Sequence, residues 1–182
     1  MRRPLLGAVL GSALAALAAP GLLACGDKFV LLGRGLRFSE TSRAKHPAAV
    51  LIYARPGSEV DAAQHDFRLD SVLKRVGHNP LVVEDASDLQ KQLALGRWDI
   101  VLTDLQSAAE VQKEGEKITP QPFVIPLLYN SSGEELATAQ KQYGCLLKAS
   151  KKTKDAKDLF GIIDEAMEAR AHGAGASCNT SH

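Results

Sequence analysis

Residues 98–105 read Trp98-Asp99-Ile100-Val101-Leu102-Thr103-Asp104-Leu105, and this stretch decides the fold. Its centre is an unbroken apolar run of strand-forming residues, which ends in the polar pair Thr103 and Asp104. Strands that helices cover on both faces have this pattern, because neither side of such a strand meets water. The stretch therefore predicts a central strand of a parallel sheet.

Four more short apolar runs repeat this pattern along the chain, at 50–54, 81–83, 123–128 and 145–147. Between and after them, apolar residues recur at helical spacing, at 67–76, 89–95, 108–113 and 156–167. Strands that alternate with helices predict parallel pairing. We expect an α/β fold with a doubly wound, five-stranded parallel sheet and helices on both faces. A small Rossmann-type half with another strand order is the alternative.

Short polar motifs predict where individual helices begin and end. Ser87-Asp88-Leu89-Gln90 and Ser132-Gly133-Glu134-Glu135 each have the spacing of a capping box, in which two side chains satisfy free N–H groups of a first helical turn. Gly77 follows the first apolar helical pattern and is typical of a helix C-terminus. We expect helices to begin after Ser87 and Ser132.

The N-terminus has the pattern of an export leader. Arg2 and Arg3 precede an apolar stretch from Leu5 to Ala24, which ends in Leu22-Leu23-Ala24-Cys25. This tetrad resembles the lipobox of bacterial lipoproteins. The resemblance implies cleavage before Cys25, acylation of that cysteine, and anchoring in a membrane of the bacterial cell envelope, with the domain outside the cytoplasm.

Two other interpretations of the leader stay open. Ala16-Leu17-Ala18 has the small residues of an ordinary secretory cleavage site, which would release a soluble exported protein. The apolar stretch is also long enough to be an uncleaved membrane anchor, although its glycines and Pro20 disfavour that interpretation.

The remaining chain has the length of one domain with short flanks. We expect a lipoprotein signal peptide at 1–24, an N-terminal tether at 25–47, the α/β domain at 48–170 and a disordered tail at 171–182. The tail is rich in Gly, Ala, Ser, Asn and Thr, which cannot bury enough apolar surface to order it.

Charge and aromatic content exclude several partner classes. The chain has 22 Lys and Arg residues, and 20 of them remain against 21 Asp and Glu once Arg2 and Arg3 are removed with the leader. A nearly neutral chain with one Trp and three Tyr lacks the basic stripe and stacking surface of a nucleic-acid binder. We expect no nucleic-acid partner.

Three cysteines occur, Cys25, Cys145 and Cys178. If Cys25 is acylated, Cys145 and Cys178 are the pair that an oxidising compartment could join. A bridge from Cys25 to Cys145 is the alternative in a chain that is not lipidated. Their spacing has no metal-ligand pattern, so we expect no zinc site.

Residues 48–170 resemble the response-regulator receiver domain, a flavodoxin-like module with strand order 2-1-3-4-5. Asp104 stands where that family has its phosphoryl acceptor, and Lys148, in Leu146-Leu147-Lys148-Ala149, stands where it has a phosphate-contacting lysine. The acidic pair expected after the first strand is replaced by Tyr53-Ala54-Arg55, so a Mg²⁺ ion would lack its oxygen ligands. We expect no bound metal or other cofactor, and Asp104 either in a salt bridge with Lys148 or Arg55 or capping the next helix.

These observations favour a non-enzymatic envelope lipoprotein whose degenerate receiver-like domain is a regulatory module or binds an unidentified protein. The expected contact surface lies around Arg55, Asp104, Ser107 and Lys148, because open α/β sheets bind ligands at the carboxyl ends of their strands. A single-domain small-molecule carrier and, third, a phospho-accepting receiver at Asp104 are the alternatives.

Two other groups of side chains are weaker candidates. His65 and His78 flank the first helical pattern and are expected to be exposed to solvent. Four lysines at 151, 152, 154 and 157 form a basic cluster, diluted by Asp155 and Asp158, that could contact anionic lipid headgroups or be an ordinary solvated face.

Overall fold

The structure is a computed structural model that describes residues 43–172, without the side chains of residues 157 and 158. The predicted signal peptide, Cys25, the tether up to residue 42, and the tail from residue 173 with Cys178 lie outside the described residues. Within residues 43–172 the chain forms five strands and six helices. In chain order these are β1 Ala49–Tyr53, α1 Glu59–Phe67, α2 Leu69–Val76, β2 Asn79–Val83, α3 Ala86–Ala94, β3 Ile100–Asp104, α4 Leu105–Gly115, β4 Phe123–Tyr129, α5 Gly133–Tyr143, β5 Leu147–Ala149 and α6 Ala156–Ala171.

The five strands form one parallel sheet in the order β2-β1-β3-β4-β5. Leu51 of β1 pairs with Leu81 on one side and with Val101 on the other. The predicted doubly wound, flavodoxin-like fold is therefore confirmed. Its strand order reverses between β1 and β3, and loops that leave these two strands in opposite directions open a crevice at their carboxyl ends.

Alternate residues of each strand supply two separate cores. Val50 and Ile52 of β1 are buried with α1, α2 and α6, whereas Leu51 and Tyr53 are buried with α3 and α4. This follows from the two-residue period of a strand, which sends neighbouring side chains to opposite faces. Helices therefore cover both faces, as the unbroken apolar runs predicted.

The first crossover contains two helices instead of the predicted one. Ser58 caps α1 by accepting a hydrogen bond from the backbone N–H of Asp61 at 3.1 Å. Arg68 then adopts a left-handed conformation with φ 54°, which ends α1 and lets α2 begin in a new direction. Gly77, with φ 109°, ends α2 as predicted.

Three other predicted element boundaries, two helix starts and one strand start, differ in how well they agree with the structure. The predicted capping box at Ser132 and Glu135 is confirmed. The one at Ser87 is wrong, because α3 begins two residues earlier, where Asp85 accepts a hydrogen bond from the Asp88 N–H at 2.8 Å. The last strand also differs, since β5 begins at Leu147 and not at residue 145.

The described end of the predicted tether docks at the amino ends of the strands. The carboxylate of Asp164, in α6, accepts hydrogen bonds from the backbone N–H groups of Lys45 and His46, both at 3.0 Å. The N–H of Ala44 donates to the Val76 carbonyl at 2.7 Å. The chain therefore reaches β1 from the edge of the sheet opposite the crevice.

The C-terminal end of α6 also contacts the amino ends of the strands. Arg170 donates to the Asp99 carboxylate at 2.9 Å, to the Asp99 carbonyl at 3.1 Å and to the Gln121 carbonyl at 2.6 Å. Its guanidinium also lies 4.6 Å from the ring centre of Phe123. Because α6 extends to Ala171, the predicted tail boundary at residue 171 is slightly too early. None of the described helices has the length and apolar character needed to cross a membrane.

Candidate functional site

A cavity of about 470 Å³ opens at the carboxyl ends of β1, β3 and β4. The loop after β1, the first turn of α4 and the loop before α5 form its walls. This is the position where the fold predicts a ligand site. Its lining comprises Arg55, Pro56, Gly57, Ser58, Glu59, Asp104, Leu105, Gln106, Leu128, Ser131 and Glu135.

Asp104 is buried at the base of this cavity and caps α4. Its Oδ1 accepts the backbone N–H of Ser107 at 2.9 Å, and its Oδ2 accepts the Ser107 hydroxyl at 3.1 Å. The guanidinium of Arg55 lies 3.5 Å from Oδ1. Both carboxylate oxygens are thus engaged, and the two predicted roles of Asp104, helix cap and ion pair with an arginine, occur together.

Arg55 lies at the mouth of the cavity. Its side chain is 45% exposed, and it also donates to the amide oxygen of Gln106 at 3.4 Å. Because the Arg55 end of the ion pair is open to water, solvent screens it and the pair contributes little to stability. Arg55 can therefore leave Asp104 without a large loss of stability.

Glu59 is a site residue that sequence reasoning missed. It follows the first strand by six residues, is the first residue of α1 and lines the cavity. Its carboxylate accepts the backbone N–H of Tyr129 at 3.0 Å and the Ser131 hydroxyl at 3.4 Å. The spacing of Ser58 and Asp61 is the helix-start signal that could have located it.

Glu135 completes the wall on the α5 side. Its carboxylate accepts the backbone N–H of Ser132 at 2.9 Å, and the Ser132 hydroxyl accepts the Glu135 N–H in return. Hydrogen bonds from the backbone and side chain of Ser132 lower the pKa of Glu135 below its ordinary value. The capping box thus places a fixed negative charge beside the cavity.

The helix caps determine which charge the cavity accepts. Phosphate sites in α/β folds use free N–H groups at helix N-termini. At this edge Ser58, Asp104 and Ser132 already accept N–H groups in the first turns of α1, α4 and α5. The lining also carries three carboxylates against the single guanidinium of Arg55, among the residues that the structure describes. The cavity therefore suits a cation better than an anion.

Lys148, the fourth residue of the predicted surface, is not brought to Asp104. It is exposed in the middle of β5, where it pairs in register with Leu128. It lines a different hollow with Ser150, Lys152, Thr153 and Lys154. Asp104 has its ion pair with Arg55, and Ser107 is the predicted neighbour that touches it.

No protein-family profile, curated protein or solved structure matches the chain. Among residues 43–172, no group of three or more His, Cys, Asp or Glu side chains is arranged to hold a metal ion.

His78 behaves differently from its sequence-based prediction. His65 is exposed as expected, but His78 is buried at the amino edge of the sheet, where its Nδ1 accepts the backbone N–H of Ala48 at 3.2 Å. Burial lowers the pKa of His78, and the nearby carboxylate of Asp164 opposes that shift. A neutral ring is needed for this hydrogen bond, because a protonated Nδ1 cannot accept.

Cys145 is buried and disulfide-bonded. The other two cysteines of the chain, Cys25 and Cys178, lie outside the described residues. The interpretation of Cys145 as a strand residue is wrong, since β5 begins two residues later.

Proposed function

We propose that this chain is a bacterial envelope lipoprotein, anchored through acylated Cys25, whose degenerate receiver-like domain binds a protein partner without catalysing a reaction. The observation that carries the proposal is the cavity at the carboxyl edge, in which the buried Asp104 is fully engaged with Ser107 and Arg55. A carboxylate used in this way organises a binding surface and is poorly prepared for chemistry.

The engagement of Asp104 argues against phosphoryl transfer. A phospho-acceptor needs an accessible oxygen and a divalent cation that several oxygens hold. Here one oxygen of Asp104 accepts an N–H, the other accepts a hydroxyl, and Glu59 is occupied by β4. Acceptance of a phosphoryl group would require the first turn of α4 to lose its cap.

The charge of the cavity supports a partner with a basic segment. Glu59, Asp104 and Glu135 outnumber Arg55 in the lining. A lysine or arginine side chain could replace Arg55 beside Asp104, and charge-assisted hydrogen bonds to carboxylates are stronger than neutral ones. We expect the partner to present such a side chain within an exposed loop or tail.

Two features are consistent with an exported, tethered domain. Cys145 is disulfide-bonded, and disulfides persist mainly in oxidising compartments. The described end of the segment that leads to the proposed anchor meets the domain at the amino edge of the sheet, through Asp164.

Photo-crosslinking in cells tests the partner. A photoreactive residue at Gln106, which is exposed and lines the cavity, should give one dominant crosslinked product. The matched control is Gln112, exposed on the same helix but absent from the cavity lining. Equal crosslinking at both positions, or none at Gln106, would contradict the proposal.

Metabolic labelling tests the anchor separately. A palmitate analogue should label the chain, and Cys25→Ala should abolish the labelling. Labelling that persists in the variant would remove the lipid anchor from the proposal and leave the cavity argument unchanged.

A small cationic ligand is the second candidate, since about 470 Å³ falls within the usual range of small-molecule sites. Stabilisation by a polyamine in a thermal-shift assay would favour it over a protein partner. The third candidate, phosphate acceptance, is tested by adding beryllofluoride and Mg²⁺. A spectral change that Asp104→Asn abolishes would support it.

A further inference from the structure

A second charged surface lies beside the sheet, at the end of β5. Lys148, Ser150, Lys152, Thr153 and Lys154 line an open hollow of about 430 Å³, which we call the basic hollow. Lys151, exposed in the same turn, adds a fourth ammonium group. The sequence predicted the cluster at 151–154 but not its association with Lys148.

Hydrogen bonds within the turn fix the position of these lysines. The N–H of Ser150 donates to the Thr153 hydroxyl at 3.0 Å, and the N–H of Thr153 donates to the Ser150 carbonyl at 2.9 Å. The N–H of Lys151 donates to the Asn130 side chain at 3.0 Å, which joins the turn to the end of β4. The lysine backbones are therefore held together, while their side chains extend into solvent.

In the part of the chain that the structure describes, the ammonium groups of the basic hollow have no ion-pair partner. None of the ion pairs there involves Lys148, Lys151, Lys152 or Lys154. By contrast, the exposed Lys91 pairs with Asp88 at 2.8 Å, and the exposed Lys117 pairs with Glu114 at 2.7 Å. Since the chain as a whole is nearly neutral, this local excess of positive charge is a specific feature.

We propose that the basic hollow lies against the anionic phospholipid headgroups of the membrane that anchors the chain. This inference rests on the proposed lipid anchor at Cys25. Charge complementarity favours it, because each lysine close to an anionic membrane surface strengthens binding about fivefold. Lysines also suit a headgroup layer because their long stems reach out while the ammonium stays hydrated.

The length of the tether permits this orientation. The segment from Cys25 to Arg43 can span at most about 60 Å, at about 3.3 Å per residue. A domain of this size is about 35 Å across, from a radius of gyration of about 14 Å. The tether can therefore reach around the domain from the amino edge, although it docks opposite the basic hollow.

The position of β5 keeps the cavity accessible in this orientation. β5 is an edge strand of the sheet, next to β4, whereas the cavity lies at the carboxyl ends of β1, β3 and β4. A domain that rests on its β5 side presents the cavity laterally, along the membrane surface.

Vesicle binding tests the proposal. The chain from residue 25 onward is used with Cys25→Ser, so that neither leader nor acyl group can hold it. Partitioning is measured by co-sedimentation with phosphatidylcholine vesicles, with or without phosphatidylglycerol. We expect binding only when phosphatidylglycerol is present, with loss at high salt because exposed charges are screened.

Two matched triple variants locate the binding surface. Lys151→Gln, Lys152→Gln and Lys154→Gln together should lower the partition coefficient about 100-fold, at about fivefold per lysine. The control replaces three exposed lysines on other helices, Lys74, Lys113 and Lys141, by Gln and should change it less than about fivefold. Urea unfolding of both variants checks that the fold is intact.

Three results would overturn the proposal: equal loss in both triple variants, no preference for phosphatidylglycerol, or saturable binding of inorganic phosphate without vesicle binding. The last would assign the basic hollow to a soluble phosphate-bearing ligand. Palmitate labelling separates this failure from that of the anchor. If the palmitate analogue labels the chain but the chain does not bind vesicles, only this inference is refuted. If the analogue does not label the chain, the proposed anchor is refuted.

Discussion

Replacing Asp104 by alanine should destabilise the domain, whereas replacing it by asparagine should have little effect. The alanine variant removes the N-cap of α4, which costs about 1 kcal/mol. It also leaves the Ser107 hydroxyl without its acceptor in a buried position, at a cost of about 1–3 kcal/mol. The expected loss in the free energy of unfolding is therefore about 2–4 kcal/mol.

Asparagine keeps an oxygen where the Ser107 N–H needs an acceptor, and asparagine is among the best N-cap residues. The cost of Asp104→Asn should stay below about 1 kcal/mol, because the half-exposed ion pair with Arg55 contributes little. The difference between the two variants thus measures the cap and not the charge.

Urea unfolding followed by tryptophan fluorescence is a suitable assay, since Trp98 is the one tryptophan of the chain and is buried. With an m-value of about 2 kcal/mol/M, Asp104→Ala should lower the midpoint by about 1–2 M. A double-mutant cycle with Ser107→Ala isolates the coupling between the two residues.

The opposite result would refute the capping argument. In a working acidic pocket, like charges crowd together, and neutralising one carboxylate relieves repulsion. If Asp104→Ala stabilised the domain, or had the same free energy of unfolding as Asp104→Asn, Asp104 would belong to such a pocket. The result would then favour the phospho-acceptor alternative.

Three further predictions concern stability. Arg170→Ala should lower the free energy of unfolding by about 2–4 kcal/mol, because it removes charge-assisted hydrogen bonds to Asp99. Arg97→Ala, at an exposed position, is the control. Equal urea midpoints for the two variants would contradict the prediction. Thr103→Val should stabilise the domain by about 1 kcal/mol in the same assay, since the buried Thr103 hydroxyl has no hydrogen-bond partner among the described residues. A loss of stability would indicate that this hydroxyl does have a hydrogen-bond partner. Burial holds the pKa of His78 below its ordinary value. As the pH falls below about 6.5, His78 is therefore protonated in the unfolded chain before it is protonated in the folded one. Stability is then complete above that pH and declines below it. Midpoints at pH 7.5 and 5.5 should show this decline, and His78→Gln should reduce it while His65→Gln should not.

The sheet could be predicted from the sequence because each buried strand is a short, unbroken run of apolar residues. Residues 50–54 and 100–104 are apolar without interruption, and covering both of their faces requires crossover helices. The position of Asp104 followed directly, because it ends such a strand. Its role as a cap was also within reach, since an aspartate three residues before Ser107 is suited to accept that N–H.

Other features depend on contacts between distant parts of the chain. The position of Lys148 is set by the register of β5 against Leu128, which no local pattern fixes. The burial of His78 depends on packing against Ala48, 30 residues away in sequence. Glu59 was missed for a different reason: α1 buries only Val60, Ala63 and Phe67, so its apolar pattern is weak.

The docking of the chain at the amino edge has a mechanical consequence. β1 follows directly after residues held by Asp164 and His78, and the cavity lies at its other end. A pull between a membrane and a partner held in the cavity would act lengthwise on β1. Its backbone hydrogen bonds to β2 and β3 would then be sheared together and not unzipped one at a time. The domain should resist such a force far better than one applied across its strands.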